Sequence, residues 1–440
     1  MVWNPGEVLP RGSARATPDA APAVALSTLT YRIEGEGRRA RSRLILAGRA
    51  EGTEGVEGVV PAFSHDPVID LSRVLRPDPQ SGGGGWIGWF GYALGHHLDG
   101  AIAGRGRAGE PLAELHRFED LVSIGRGGAG WVKAWRVAPA GVPEGGRYRS
   151  SVGEALRLIR AGDIYQANLA HRMEMAFEGD ALALYLELAR RAGPRYGMFV
   201  ESAGGGGEGE GERTSVLSLS PELFLRFDAR TRRLATRPMK GTRPGHADPE
   251  ALRDSTKDRA ELDMIVDLMR NDLGRVCELG SVVVDRPRVV ERHGEGEGAV
   301  WQATAEVSGI VRAGLGAGEI LAATFPPGSV TGAPKVRATE VIDGLEEFAR
   351  GPYCGAIGVF GDDGSFTLAV AIRTAVVRGK VDGTGRYLPG STLEYCVGAG
   401  IVADSDEEAE WEETLDKARV LAPVLPLTLP TAGGGARRAR

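Results

Sequence analysis

The chain has 440 residues, 42% of them hydrophobic, a formal net charge of -6 and three cysteines. That length suits two or three domains, or one enlarged fold with a sizeable core, and the negative balance argues against the dense basic face that nucleic-acid binding needs. Cys277, Cys354 and Cys396 show no CxxC or Cys/His spacing, no stretch approaches the ~18 apolar residues of a membrane span, and the N-terminus lacks a secretory pattern; small-molecule chemistry in a reducing cytoplasm, with no nucleic-acid or membrane partner, is the expectation.

Residues 1–22 are rich in Pro, Ala, Arg and Gly without periodicity and read as a disordered N-terminal tail. From 23 to 148, apolar runs at Leu44-Ile45-Leu46 and Trp86 to Tyr92 alternate with Gly/Pro turns, as antiparallel strands do. His96-His97 fall on a turn, in a surface or structural role. A Gly/Pro-rich stretch at 138–147 precedes the first clear amphipathic helix, about 149–161, and a second region is placed at 149–424. The Gly/Glu run 203–212 lies between strands at 197–201 and 215–220 and reads as a long, mobile hairpin loop. Strands at Val282-Val283-Val284, Ala356 to Phe360, Thr367 to Val377 and Leu393 to Val397 then alternate with helices at about 257–273, 334–347 and 405–421. Residues 425–440 read as a flexible C-terminal tail.

Two acidic pairs, Asp258 with Glu261 and Glu410 with Glu413, fall on expected helices at i, i+3 spacing. Each pair shares a face and can offer two hard oxygen ligands to a cation; first-turn acids serve the helix dipole or a solvated face equally well. The segment Phe325 to Lys335 fails the spacing of a phosphate loop and reads as a turn opening a helix at Pro334, with free amides able to meet an anion. Lys240, in Arg237-Pro238-Met239-Lys240-Gly241-Thr242, sits between Pro and Gly at a strand end, where a lysine is either solvated or positioned as a nucleophile. GxSxG and HExxH are absent.

Taken in order, these segments resemble the chorismate-utilising enzymes, which include anthranilate, aminodeoxychorismate, isochorismate and salicylate synthases. The matching stretches are Gly162 to Leu169, Ser218 to Glu222, Pro238 to Thr242, Ile265 to Gly274, Gly332 to Arg337, Tyr353 to Gly358, Ala371 to Thr374 and Gly398 to Ile401. The resemblance implies an α+β fold, two antiparallel β-sheets packed as a sandwich with flanking helices. It also implies that Glu261 and Glu413 hold Mg2+ with the ring carboxylate of chorismate, Asp258 and Glu410 supporting them. Tyr353 and Arg373 would bind the enolpyruvyl carboxylate, in a nest made by the Gly398-Ala399-Gly400 backbone. Thr242, within the Lys-Gly-Thr motif, and Lys417 would also touch substrate.

Within the resemblance, two positions report on the reaction. Isochorismate and salicylate synthases carry a lysine base where this chain has Gln166, because water must be activated and ammonia need not be. Anthranilate synthases usually carry alanine where this chain has Lys240, whereas members that aminate chorismate at C4 carry lysine. The implied route has the Lys240 amine attack C2 as the C4 hydroxyl leaves, Glu222 donating the proton, before ammonia attacks C4 and expels the lysine. No glutaminase elbow is visible, so ammonia is expected from a separate glutamine amidotransferase subunit. Two departures stand out: the frequent His-Leu-Val-Ser stretch is Gln302-Ala303-Thr304-Ala305 here, and the tryptophan-binding Leu-Leu-Glu-Ser motif has its nearest counterpart in Leu44 to Gly48, lacking Glu and Ser.

Overall fold

The strand Gln166–Gly179 shows how burial pattern and architecture correspond. Its second half alternates, Met173, Met175 and Phe177 buried against exposed Glu174, Ala176 and Glu178, as a strand with one solvated face must; its first half, through His171, is buried on both faces. Both faces are covered there because the strand enters the centre of the molecule, and that covered half carries Gln166.

The computed structural model describes residues 66–78, 83–98, 111–118, 121, 135–138, 145–202, 212–293, 300–419, 421–422 and 424–428, with backbone alone for 2–5, 27–34, 41–48, 140–141, 293 and 428. Among these, one antiparallel sheet runs in the order Val2–Pro5, Tyr196–Ser202, Glu212–Ser220, Thr374–Lys380, Tyr387–Ile401, Gln166–Gly179 and Gly332–Ala333, with Trp135–Val137 also on Gln166–Gly179. The other runs Met239–Pro244, Val300–Ile310, Arg233–Arg237, Leu223–Asp228, Phe366–Val370, Ala356–Gly361, Gly85–Phe90, Pro111–Phe118, Ser27–Glu34 and Arg41–Gly48, with Val283–His293 also on Val300–Ile310. Gly85–Phe90 pairs directly with Ala356–Gly361, so residues before 149 fill out a sheet shared with the C-terminal half.

Four apolar cores make the sandwich. Met198, Val200 and Val216 of the first sheet meet Ile87, Trp89, Ile357 and Val359 of the second. Outside the first sheet, the Ala181–Ala192 helix packs Leu184, Tyr185 and Leu188 on Phe177, Phe199 and Leu217. The Gly146–Arg160, Lys335–Leu345 and Glu407–Arg419 helices cover its other end over Ala167, Leu169, Ala399 and Ile401. Outside the second sheet, Leu262, Ile265, Val266 and Met269 of the Thr256–Gly274 helix lie on the core that includes Leu234, Ala303, Ala305 and Val307. Ser255 caps this helix, its hydroxyl accepting from the Asp258 amide at 3.1 Å, which fixes where the first turn and its acids begin.

The sequence reading and the fold differ at several places. The expected strand Thr367 to Val377 is two strands, Phe366–Val370 and Thr374–Lys380, in different sheets. Continuous apolar character cannot reveal such a break, because both halves are buried. The helices Ala181–Ala192, Pro67–Val74 and Ala317–Thr324 had no counterpart in the reading; the last is apolar almost all round, which leaves no helical period to see. His96 and His97 lie in a short helix, Gly95–Leu98. At the ends, Val2–Pro5 pairs with Tyr196–Ser202, so the expected N-terminal tail begins with a strand. Leu425 is fully buried and Leu427–Thr428 pairs with Ala140–Gly141, so the chain is still packed past 425. The 203–211 loop lies outside the described residues.

One buried ion pair holds the covered end of Gln166–Gly179 in place. Arg350, its side chain 2% exposed, bonds Glu346 at 2.7 Å and also donates to the carbonyls of Asn168 and Val330. Glu346 in turn accepts from the Ala170 amide at 2.8 Å. Replacing Arg350 by Met leaves Glu346 buried without its cation and two carbonyls without their donor. A loss of about 3–5 kcal/mol is expected from such a break, to be measured by chemical denaturation of both forms at one pH.

Candidate active site

Two segments cross from one sheet to the other side by side. Glu212–Ser220 in the first sheet continues through Pro221-Glu222 into Leu223–Asp228 in the second, and Phe366–Val370 in the second continues through Ala371-Ile372-Arg373 into Thr374–Lys380 in the first. The Val370 amide donates to the Glu222 carbonyl at 3.1 Å, and the Ser220 hydroxyl to the Val370 carbonyl at 2.6 Å. Each crossing carries an ionisable residue, Glu222 on one and Arg373 on the other.

Glu222 is 3% exposed, and burial pushes its carboxyl up to about 7; the Ser329 hydroxyl, the Lys240 charge and the Met239 amide all pull the other way. A carboxyl that stays partly protonated near neutrality is suited to donate a proton.

Lys240 projects from the adjacent Met239–Pro244 strand. Its ammonium lies 3.6 Å from Glu261 and also acts on Glu222 and Glu413. Opposite it is Gly400: a Cβ placed on that residue would come within 2.8 Å of the Lys240 Nζ and 2.9 Å of the Gln166 Nε2. Lysine amine and glutamine amide therefore converge on one spot, kept open by the missing side chain. Gln166 is fully buried, yet neither its Nε2 nor its Oε1 has a hydrogen-bond partner among the described residues. Buried amides are nearly always satisfied, so an unsatisfied one beside an amine is a candidate place for a ligand. Thr242 is different. A register shift between Lys240 and Thr242 sets it against Gln302, whose amide donates to its hydroxyl at 3.4 Å, and no contact with Lys240 is made.

The Tyr387–Ile401 strand has an open edge beside this spot. Pairing with Thr374–Lys380 reaches only to Ala375 opposite Tyr395. Extending that register places Arg373 opposite Val397, next to Gly398. The amides of Asn168 and Ala170, facing Gly400 and Gly398 across the other edge, are bonded to Thr331 and Glu346, and the Gly398 carbonyl accepts from Lys417 at 2.8 Å. An amide and carbonyl of one strand residue project to the same side, so the Gly398 and Gly400 amides face the edge where Arg373 sits. Ala399 points the opposite way, into the core. Arg373 has φ of 50°, a left-handed conformation that costs a non-glycine residue roughly 1–3 kcal/mol and persists where surroundings enforce it. Burial lowers its guanidinium's hold on the proton, while Tyr395 works in the opposite sense. Among the described residues no carboxylate pairs with it, and with two edge amides it makes an anion site. Tyr353 is brought close through Cys354, whose amide donates to Ala371 at 3.0 Å; Tyr353 itself is buried, and burial raises its hydroxyl well above the usual range.

The acidic pairs approach from two helices, with cations between them. Glu261 lies near both Lys240 and Lys257, the latter at 3.9 Å, and Glu413 feels the same two lysines. Burial works to raise the Glu413 carboxyl, but Lys417 at 2.8 Å, with Lys240 and Lys257, outweighs it, and the net shift is downward. Asp258 is engaged by Arg243 at 2.7 Å and Glu410 by Ser405 at 2.6 Å, where burial raises the Glu410 carboxyl. As the side chains stand, no three His, Cys, Asp or Glu residues among those described gather closely enough to hold a metal ion. Glu261 and Glu413, two carboxylates that share the same ammonium ions, are the residues that could offer oxygen ligands to a hard dication such as Mg2+, with Asp258 held by Arg243 and Glu410 by Ser405. Lys257, Arg243 and Ser329 are additions that the sequence did not single out. Lys257 offered the one usable signal, a cation in the first turn beside Asp258.

Glu222→Gln separates the carboxyl's two effects. A carboxyl whose folded value lies above its ordinary 4.5 stabilises the fold fully below 4.5, and that contribution is lost as pH rises through about 7. The variant should escape up to about 3 kcal/mol of this loss while losing its proton donor. Unfolding free energies of the two forms at pH 5 and pH 8 should therefore differ more at pH 8, in favour of Gln.

Comparison with known proteins matches this arrangement to a family. A sequence profile described as chorismate binding enzyme matches residues 142–423. An aminodeoxychorismate synthase component 1 of Klebsiella aerogenes is 42% identical over 282 residues, 61% of this chain and 56% of that protein. An anthranilate synthase component 1 of Streptomyces coelicolor is 40% identical over 282 residues, 62% of this chain and 50% of that protein. The matched segment thus spans little more than half the length of these curated relatives. Anthranilate synthase component I from Streptococcus pneumoniae TIGR4 has a similar fold, with a TM-score of 0.66, 24% identity and coverage of 93% of this chain and 94% of that one. Escherichia coli MenF, a menaquinone-specific isochorismate synthase, gives a TM-score of 0.59 at 17% identity, covering 91% and 89%. With a profile match over more than half its length, laid across the residues that converge on Gly400, the chain belongs to the chorismate-binding enzyme family.

Proposed function

We propose that this chain is the synthase component that converts chorismate and ammonia to 4-amino-4-deoxychorismate, for p-aminobenzoate and folate or another p-aminobenzoate-derived product in the cytoplasm. The observation that carries the reading is the convergence of the Lys240 amine and the unpartnered Gln166 amide on Gly400. Gln166 offers hydrogen bonds but no base, which suits ammonia and not water as nucleophile. A covalent role for Lys240 is supported by its approach to Gly400 beside Gln166, and amination by the name of two relatives 42% and 40% identical, aminodeoxychorismate synthase component 1. Their designation as component 1 supports a partner subunit, here a glutamine amidotransferase delivering ammonia.

In this reading Arg373 and the Gly398 and Gly400 amides hold the enolpyruvyl carboxylate, with Tyr353 against it. Lys417 and the acids orient the ring carboxylate. Bound Mg2+, on Glu261 and Glu413, would supply positive charge to that carboxylate. Lys240 gives up its proton to solvent and its amine bonds to ring C2; both ring double bonds shift along the ring and the C4–O bond breaks, Glu222 donating the proton that lets the hydroxyl leave as water. Ammonia admitted past Gln166 then bonds to C4, both double bonds return and the C2–N bond breaks, and the new C4 ammonium passes its surplus proton to the Glu222 carboxylate. The lysine is regenerated, and the net change is OH for NH2 at C4.

Incubating the purified chain with chorismate, Mg2+ and ammonium at alkaline pH, with product analysis by mass spectrometry, should give 4-amino-4-deoxychorismate. Anthranilate, which the similar identity of the anthranilate synthase relatives makes the alternative to exclude, or isochorismate would overturn the reading. Lys240→Ala should slow turnover at saturating ammonia by at least about 100-fold, as loss of a covalent nucleophile does; unchanged turnover would remove the covalent step while leaving the overall reaction standing.

A further inference from the structure

The segment Phe325 to Pro334 touches both ends of the reaction space without itself being assigned to it. Its short helical turn Gly328–Val330 carries buried Ser329, whose hydroxyl lies near enough to the Glu222 carboxyl to act against the effect of burial there. Beyond the turn, the Thr331 carbonyl accepts from Asn168 and the Ala333 carbonyl from Tyr165, each at 2.7 Å, and Gly332 and Ala333 pair with Ala167 and Gln166. A Cβ on Gly332 would lie 2.1 Å from the Gln166 carbonyl, so the segment is pressed directly on the residue that faces the incoming nucleophile. One face of the loop therefore sets the acid and another sets Gln166.

The loop is closed by a single ammonium. The Lys335 Nζ donates to the Thr324 carbonyl at 2.8 Å, joining the residues just before and just after the loop, and to the Asp272 carboxylate at 2.6 Å. Lys335 and Asp272 side chains are 11% and 5% exposed. Asp272 stands on the helix whose first turns bear Asp258 and Glu261, and the loop packs back on that helix, where a Cβ on Gly328 would fall 2.3 Å from Met269. Remote from the reacting atoms, this buried pair ties the loop ends to the helix that carries the acids.

We propose that Lys335 is a positioning residue for the reaction proposed above, its bridge from Thr324 to Asp272 locking the Phe325 to Pro334 loop so that Ser329 stays on Glu222 and Gly332-Ala333 stay against Gln166. The inference rests on that functional reading for its kinetic consequence, and on the geometry alone for its structural one. Misplacing a catalytic group by about 1 Å costs on the order of 100-fold in rate, so loosening the loop should act on kcat more than on chorismate affinity.

The test compares the wild type with Lys335→Met, Lys335→Met/Asp272→Asn and Ser329→Ala. The double variant removes both charges of this pair and keeps the test open if Lys335→Met fails to fold. Amide hydrogen exchange should rise in 325–334 of the double variant while the Thr256–Gly274 helix keeps its protection. Its kcat with ammonium should fall about 10- to 100-fold with chorismate KM within about threefold of wild type.

The pH profile distinguishes positioning from general weakening. The Ser329 hydroxyl favours the Glu222 carboxylate, so its removal or displacement should move the basic limb of kcat to higher pH in both the double variant and Ser329→Ala; Lys240, the Met239 amide and Cys354, which also bear on Glu222, lie outside the loop. Ser329→Ala should show the moved limb without the increased exchange. Unchanged exchange in the loop, or increased exchange with kcat and limb unmoved, overturns the proposal. So does a fall in kcat that merely tracks lost thermal stability. A wild type that makes no aminated product defeats the functional reading instead, and the exchange result still decides whether Lys335 locks the loop.

Discussion

The molecule depends on two strands leaving one sheet for the other at the same place. A strand cannot pass between layers without a bend, and the bends at Pro221-Glu222 and Ala371 to Arg373 are held together by hydrogen bonds between Val370, Glu222 and Ser220. The bends carry Glu222 and Arg373, one a carboxyl pushed toward neutrality by burial, the other a guanidinium on a residue in a left-handed conformation. The same interruption ends the pairing of Thr374–Lys380 at Tyr395 and leaves the edge at Gly398 and Gly400 open. An acid and an anion site thus arise from one topological event.

Around that opening, charge is arranged in excess on both sides. Lys240, Lys257 and Lys417 stand among Glu222, Glu261, Glu410 and Glu413, each carboxylate engaged by a cation or a hydroxyl. Glu261 has two ammonium neighbours, at 3.6 and 3.9 Å, while Glu413 holds Lys417 at 2.8 Å, so no carboxylate of the set is left without a compensating group. Gln166, uncharged and unpartnered, is the exception, and its neutrality bears on which nucleophile the site admits.

Much of this was legible in the residues. The acidic pairs at i, i+3 spacing announced their shared faces before any fold was known. The Lys-Gly-Thr and Gly-Ala-Gly stretches marked strand ends with room for a ligand. Other features could not be seen there. Nothing in Thr367 to Val377 shows that the chain changes sheets at Arg373, because burial on both sides erases the alternation that would reveal a break. Ser329 and Lys335 lie in a segment whose composition indicates a turn, and only packing shows that the turn holds Glu222. Thr242, grouped with Lys240 by adjacency, is separated from it by the register shift.

By itself, the sequence determined local quantities: many of the stretches that are helix or strand, and which residue types can carry chemistry. These depend on short-range periodicity and on functional groups, both written along the chain. Only the tertiary structure decided that Lys240 and Gln166, some 70 residues apart in sequence, meet over Gly400, that Glu261 and Glu413 share their cations, and that a carboxyl at Glu222 is buried enough to hold a proton near neutrality. Distance, desolvation and the open edge of a strand are properties of packed layers, and they exist only once segments far apart in the chain have been brought into contact.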